Sequence, residues 1–158
     1  MYEIIIGRDD DDKVKFGTGA TFLLGRHYVQ MGQTTSLSQP IYMDIARSHV
    51  TFIVGKRGSG KSYTAGSMAE GMMSVPGVSE NIGIILFDTM GIYWTMKYEN
   101  KKDEKLLREW GLENREFNIM IYTPAGYFNE FKEKGIPTDA PFSIGPSELS
   151  PSDWCLVF

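Results

Sequence analysis

The chain has 158 residues, of which 42% are hydrophobic and 23% are charged, and its 16 basic and 20 acidic side chains give a formal net charge of −4. This composition excludes a disordered chain, a collagen and a coiled coil. The length allows one domain of ordinary size, or one domain with a small appendage. No apolar run approaches the roughly 20 residues that cross a bilayer, so we expect no membrane partner.

The cysteine count and the net charge indicate the cellular compartment and the kind of partner. The single cysteine, Cys155, cannot form an internal disulfide, which favours a reducing, cytoplasmic location. The chain is mildly acidic and so lacks the overall positive charge that is typical of nucleic-acid-binding domains. Any DNA contact must therefore come from a local patch or from a ring of several subunits.

The first 46 residues predict a small β unit, either a barrel or a sheet. Short strand-like runs, separated by glycines, occur at residues 4–6, 21–24, 28–31 and 41–43. The acidic stretch at 9–12 and the polar stretch at 32–38 are interpreted as solvated loops. We therefore expect a small β domain at residues 1–46 and a second domain at residues 47–158.

From His49 onward the pattern changes to alternating strands and helices. The apolar runs are typical of buried parallel strands, and they lie at residues 50–54, 82–87 and 117–122. One helix face is predicted by the spacing of Ala65, Met68, Ala69, Met72 and Met73. A second helix is predicted over residues 103–110. This β-α-β-α-β order predicts an α/β fold with a parallel sheet and right-handed crossovers.

The most specific motif is a glycine-rich loop that follows the first of these strands and opens the first helix. It reads Gly55-Lys56-Arg57-Gly58-Ser59-Gly60-Lys61-Ser62 and matches G-x-x-x-x-G-K-[ST] in full. Glycines allow backbone N–H groups to approach phosphate oxygens, and the helix N-terminus adds partial positive charge. The motif therefore predicts a polyphosphate site.

Each residue type in the loop has a distinct chemical use. Lys61 can place an ammonium over the β- and γ-phosphates, and Ser62 can offer a hydroxyl to Mg²⁺. The candidate nucleotide-binding residues are Gly55, Lys56, Arg57, Gly58, Ser59, Gly60, Lys61, Ser62 and Tyr63. Two interpretations stay open for the side chains of Lys56 and Arg57: they contact phosphate or a neighbouring subunit, or they are solvated variable positions.

A carboxylate follows the second predicted strand. Asp88 should lie at the carboxyl edge of the sheet, the same edge as the phosphate loop. There it could hold a metal-bound water or orient the attacking water, or it could merely cap the turn at 89–91. Lys61 and Asp88 are thus the candidate catalytic residues, and Ser62 and Asp88 are the candidate Mg²⁺ ligands.

Two short motifs are similar to those of GTPases. Residues 88–91 spell D-x-x-G, and residues 100–103 spell N-K-x-D. They begin only 12 residues apart, which leaves no room for the helix and strand that should separate them. The second motif is more economically the solvated start of the predicted helix, so a GTPase switch remains only an alternative.

Together these residues resemble the HerA/FtsK division of P-loop ATPases, and more narrowly the HerA-like ATPases. The resemblance lies in Arg47-Ser48-His49 before a strand, the loop at 55–62, and the segment Asp88-Thr89-Met90-Gly91-Ile92-Tyr93 after the second strand. It implies a RecA/FtsK-like core behind a small N-terminal barrel. It also implies a hexameric ring that hydrolyses ATP with Mg²⁺, moves along duplex DNA, and works with a nuclease or another effector in DNA end processing or phage defence.

The sequence also departs from that family pattern. Thr89-Met90 replaces a Pro-His pair, Ile92 replaces a Glu, and no later apolar strand ends in the Asp-Glu of a Walker B motif. No arginine finger can be named. We expect the chain to be the N-terminal part of a longer ATPase that alone binds nucleotide better than it hydrolyses it. A degenerate relative of the family is the alternative to such a fragment. The alternative function is a nucleotide-dependent ring scaffold for an effector enzyme, without motor action.

Overall fold

The structure, a computed structural model, describes residues 3–157. These residues divide after Asp88 into two compact units. The two units are described separately below.

The first unit is built on a three-stranded sheet. Its strands are β1 (Ile4–Ile6), β2 (Thr21–Met31) and β3 (Thr34–Asp44), in the order β1-β3-β2. β3 runs parallel to β1 and antiparallel to β2. The predicted β unit is thus present as an open sheet of two long strands and one short strand, and the barrel is not confirmed.

The prediction of a loop over residues 32–38 is wrong. Only Gly32 and Gln33 form the turn, and Met31 already pairs with Thr34. Gly32 has a φ of +62°, in the left-handed region that tight hairpin turns require. The polar residues that follow pair with β2 because the hydrogen bonds between the two strands join backbone groups and do not require apolar side chains.

The prediction of a solvated loop at residues 9–12 is also wrong, because this stretch forms the start of helix α1 (Asp10–Phe16). The Asp9 side chain caps the helix by accepting a hydrogen bond from the Asp12 N–H, 2.8 Å away. Carboxylates in a first helical turn are stabilised by the unpaired N–H groups there. The acidic run therefore favours a helix start.

Helix α2 (Lys61–Met73) confirms the helix predicted from the apolar spacing. A short helix, α3 (Val78–Asn81), follows it. Ala69 is buried, and Gly71 lies against the ring of Phe22 on β2. These contacts attach α2 to the sheet.

The predicted parallel sheet of three consecutive strands is not confirmed. Residues 50–54 and 82–87 have no regular secondary structure, and their apolar side chains are largely solvent-exposed: Phe52 is 88% and Phe87 is 91% exposed. A strand of a parallel sheet is stable only when neighbouring strands form hydrogen bonds with its backbone and other elements cover both of its faces. Among the described residues these segments have no such neighbours.

The second unit contains short elements. They are a 3₁₀ turn (Tyr93–Lys97), α4 (Glu104–Glu109), β4 (Tyr122–Pro124), α5 (Ala125–Glu133), β5 (Ala140–Phe142), a second 3₁₀ turn (Pro146–Glu148) and α6 (Pro151–Val157). β4 and β5 are parallel, and α5 connects them. The helix predicted at 103–110 is confirmed as α4, whereas only the last residue of the strand predicted at 117–122 belongs to β4. In the described part of the chain, no helix has the length and apolar character needed to cross a membrane.

Candidate functional site

The loop before α2 has the backbone conformation that its glycines predict. Gly58 and Gly60 have φ values of +79° and +88°, in a region that other residues enter only at a cost. A Cβ atom on Gly55 would collide with the Oγ atom of Ser59. The backbone conformation therefore favours glycine at positions 58 and 60, and a side chain at position 55 would require the side chain of Ser59 to move.

The N-terminus of α2 faces the same loop. Its N-cap residue is Gly60, which has no side chain with which to cap the helix. The Thr64 N–H makes the first helical hydrogen bond, to the Gly60 carbonyl at 2.8 Å. The amides of residues 61–63 precede that bond, and such first-turn amides attract anions.

Lys61 is folded back over the loop. Its ammonium donates a hydrogen bond to the Lys56 carbonyl at 2.8 Å, and the Ser59 N–H donates to the same carbonyl at 3.2 Å. The Lys61 side chain is only half-buried. The ammonium is therefore held beside the loop by one neutral acceptor, which a phosphate oxygen can replace at a gain in Coulomb energy.

These elements form an open concavity of about 300 Å³. It is lined by Gly58, Gly60, Lys61, Ser62 and Tyr63. The concavity combines left-handed glycines, a helix N-terminus and an ammonium around a space that can hold a chain of phosphates. It therefore fits a polyphosphate ligand.

The other predicted loop residues have different positions. The side chains of Lys56 and Arg57 are exposed, and neither residue is among those that line the concavity. Tyr63, in contrast, lines it with a side chain that is 71% exposed. The structure thus brings together Gly58, Gly60, Lys61, Ser62 and Tyr63, whereas Gly55 and Ser59 are not among the residues that line the concavity.

Asp88 is not brought into this group. It follows the irregular segment 82–87, is exposed, and is not among the residues that line the concavity. The expected approach of Asp88 to the loop depended on two adjacent parallel strands, which the described residues do not form. Its catalytic role stays a prediction.

The described residues contain no group of three or more His, Cys, Asp or Glu side chains arranged to hold a metal ion. The donor that fits Mg²⁺ at the loop is the Ser62 hydroxyl. Mg²⁺ at phosphate sites takes one or two protein ligands and completes its shell with water and phosphate oxygens. A single hydroxyl beside the phosphate concavity is compatible with that arrangement.

The motif that resembles a guanine reader forms a local turn. The side chains of Asn100 and Asp103 are hydrogen-bonded to each other at 3.2 Å, and the Asp103 N–H donates to the Asn100 side chain at 3.2 Å. Both residues are in an exposed turn before α4. This geometry favours the interpretation as a solvated helix start.

One polar cluster was missed by the sequence analysis. Arg8, Asp44 and His49 are hydrogen-bonded together next to the sheet. The available signals were an aspartate at the end of one strand and a histidine just before the segment that leads to the loop. Neither signal predicts a contact, because the three residues are up to 41 positions apart in the chain.

Comparison with known proteins agrees with the geometry of the loop. The sequence matches the family described as "Helicase HerA, central domain" over residues 25–158, which is well over half of the chain. No curated protein and no solved structure gives a significant match. The matched segment includes the whole phosphate loop and α2. The chain therefore belongs to the HerA central-domain family and is a P-loop ATPase domain of the HerA/FtsK type.

Proposed function

We propose that this chain binds ATP at residues 55–63 and acts as a subunit of a HerA-like hexameric DNA translocase or helicase. The observation that carries the proposal is the concavity at the N-terminus of α2, which combines backbone amides with the Lys61 ammonium. Because the chain as a whole is acidic, with a net charge of −4, DNA would be contacted by local patches or by the assembled ring. The partner would be a nuclease or another effector, and the location would be cytoplasmic.

The residues of the loop have separate roles in this proposal. Lys61 leaves the Lys56 carbonyl and binds the β- and γ-phosphate oxygens, where negative charge develops during transfer. The amides after Gly60 bind the phosphate chain, and the Ser62 hydroxyl would hold Mg²⁺. When bound, Mg²⁺ would neutralise part of the phosphate charge. Asp88 would orient the attacking water or hold a metal-bound water.

The irregular segments have a place in the same proposal. Val50, Phe52 and Val54 are all exposed, although their composition is that of a buried strand. In the assembled ATPase core, segments 50–54 and 82–87 would pair as neighbouring parallel strands, with residues 1–46 as the small β domain and 47–158 as the ATPase domain. Such pairing would bring Asp88 to the edge of the sheet where the loop lies.

Replacement of Lys61 tests the binding step. We expect Lys61→Ala to weaken the binding of a fluorescent ATP analogue about ten- to hundredfold, because a hydrogen bond from a charged group to phosphate is lost. Lys105→Ala removes the same charge from an exposed position on α4 and serves as the matched control. Equal affinity of Lys61→Ala and the native protein would refute the proposal. Competition by ATP and GTP in the same assay decides between the ATPase and the GTPase switch.

A ring scaffold without motor action is the second candidate, and the position of Asp88 favours it. The residues that bind phosphate are assembled, whereas this carboxylate is not among those that line the concavity. ATP hydrolysis, DNA unwinding and ring assembly should be measured for the native protein and Lys61→Ala. If assembly requires nucleotide but effector activity survives without turnover, the scaffold is correct and the motor is not.

A further inference from the structure

A buried ion pair lies where β3 ends. Asp44 is the last residue of β3, and its carboxylate accepts a hydrogen bond from Arg8 Nε at 2.9 Å and another from the same guanidinium. Both side chains are only 1% exposed. Arg8 also donates to the Gly17 and Gly19 carbonyls at 2.7 Å. The pair therefore joins the segment after β1, the exit from α1 and the end of β3.

The second oxygen of Asp44 is directed to the segment that continues toward the phosphate loop. Asp44 Oδ2 lies 2.8 Å from His49 Nε2 and 3.3 Å from the Arg47 N–H. Since a carboxylate only accepts, Nε2 is the donor. Burial acts to raise the pKa of the Asp44 carboxyl, but hydrogen bonds from His49 and Arg8 outweigh it and lower the pKa. Asp44 therefore presents a carboxylate to His49.

The face of the His49 ring is also held. Gly7 has a φ of +86°, and a Cβ atom at this position would lie 2.8 Å from Cε1 of His49. The ring thus packs directly on the backbone of Gly7, and only 22% of the side chain is exposed. Two independent contacts, one with its edge and one with its face, fix His49 to the sheet.

His49 is immediately followed by segment 50–54, which leads into Gly55. Among the described residues this segment pairs with no strand, and the side chains of Val50 and Phe52 are exposed. His49 and Gly55 are six positions apart, so their Cα atoms can lie at most about 22 Å apart. The point at which His49 is held therefore limits where the first glycine of the phosphate loop can lie.

The far side of the loop is attached to the same sheet. Gly71 on α2 packs so closely on β2 that a Cβ atom there would lie 2.6 Å from Cδ2 of Phe22. The loop is therefore attached to the sheet on both sides, through His49 before it and through α2 after it. Loss of either attachment increases the number of conformations that the ligand must restrict.

We propose that His49 is a positioning residue for nucleotide binding: its contacts with Asp44 and Gly7 hold the segment that places the phosphate loop. The inference depends on the proposed binding of ATP at that loop. His49 is not among the residues that line the concavity and acts through the segment at 50–54. Its removal should leave the chemistry of the loop intact and weaken binding by allowing the loop to move.

Three variants of the full chain test this role. His49→Ala removes both contacts, His49→Asn keeps an amide that is too short to reach Asp44, and His49→Gln places an amide nitrogen close to the position of Nε2. We expect the alanine and asparagine variants to bind a fluorescent ATP analogue about three- to thirtyfold more weakly and glutamine to restore most of the affinity. Hydrogen exchange at residues 50–64 should rise in the first two variants and return towards the native rate in the third.

The controls separate this inference from the proposed function. Arg47→Ala removes an exposed side chain that pairs with Asp12 but keeps the backbone donor to Asp44, and we expect native affinity. If Lys61→Ala loses binding while His49→Asn binds as well as His49→Gln, the positioning role is refuted and the proposed function stands. If Lys61→Ala binds normally, the proposed function itself fails. The comparison of asparagine with glutamine keeps the test decisive even where His49→Ala does not fold.

Discussion

Removal of the Asp44 carboxylate should strongly destabilise the first unit. In Asp44→Ala the Arg8 guanidinium keeps its acceptors at the Gly17 and Gly19 carbonyls but loses its counter-ion in a site where its side chain is 1% exposed. Breaking a buried pair by removing one partner typically costs about 3–5 kcal/mol. Such a loss is a large part of the roughly 5–15 kcal/mol that stabilises an ordinary domain.

The stability of Asp44→Ala must be measured by a method that detects opening of the β1-β3-β2 sheet. The chain's three tryptophans all lie after residue 88, so fluorescence does not follow the first unit. Hydrogen exchange of the β2 and β3 amides gives the free energy of opening directly. Asp44→Asn keeps the shape and an acceptor oxygen but loses the charge, and we expect it to be less destabilising than Asp44→Ala.

A double variant separates the charge from the packing. Arg8→Met with Asp44→Leu removes both ions, so no unpaired charge is left in the buried site. We expect this protein to be more stable than Asp44→Ala, because apolar side chains of similar volume often replace a buried pair without loss. A decrease of less than about 1 kcal/mol in Asp44→Ala, within the range of an average substitution, would refute the argument that the ion pair holds the sheet together.

Two further predictions concern packing and pH. Gly71→Ala should destabilise the first unit by about 1–3 kcal/mol in the same exchange assay, because its Cβ would lie 2.6 Å from the ring of Phe22; Gly126→Ala, on α5 with open space around it, should be neutral or slightly stabilising. The Lys97 ammonium, 2.6 Å from the carboxylate, lowers the pKa of Asp139. The Lys97–Asp139 ion pair therefore contributes its full stabilisation above the pKa of Asp139 in the unfolded chain, about 4. This contribution is lost as the pH falls through the lower pKa of Asp139 in the folded protein. Urea unfolding followed by tryptophan fluorescence should show this acid loss in the native protein and not in Asp139→Asn.

Local features of the sequence predicted the phosphate loop and the helix after it. The pattern of residues 55–62 favours this backbone, because Gly58 and Gly60 adopt left-handed conformations and a Cβ on Gly55 would displace the side chain of Ser59. α2 was likewise predicted from the spacing of its apolar residues between Ala65 and Met73, all of which lie within the helix. Interactions between residues close in the chain decide both elements.

The hairpin and the acidic helix were not predicted, for different reasons. Residues 34–38 are polar except for Leu37, yet they belong to β3 because β2 provides backbone partners across a two-residue turn. Residues 9–12 were interpreted as a solvated loop, whereas the Asp9 side chain caps a helix. In the first case backbone pairing with the preceding strand decided the structure. In the second case the acidic residues were interpreted as solvated, and their preference for a helix N-terminus was not considered.

The sequence by itself determined the candidate ligand chemistry of this protein: a glycine loop, a lysine and a serine that together suit a phosphate chain. Only the tertiary structure decided what supports that loop. The contacts of Asp44 with Arg8 and His49 join positions 36 and 5 residues apart, and the packing of Gly71 on Phe22 joins α2 to β2. No periodicity marks such contacts, because they depend on how the chain folds back on itself. The apolar segment 50–54 shows the same limit, since its residues favour a strand but a strand exists only where another pairs with it.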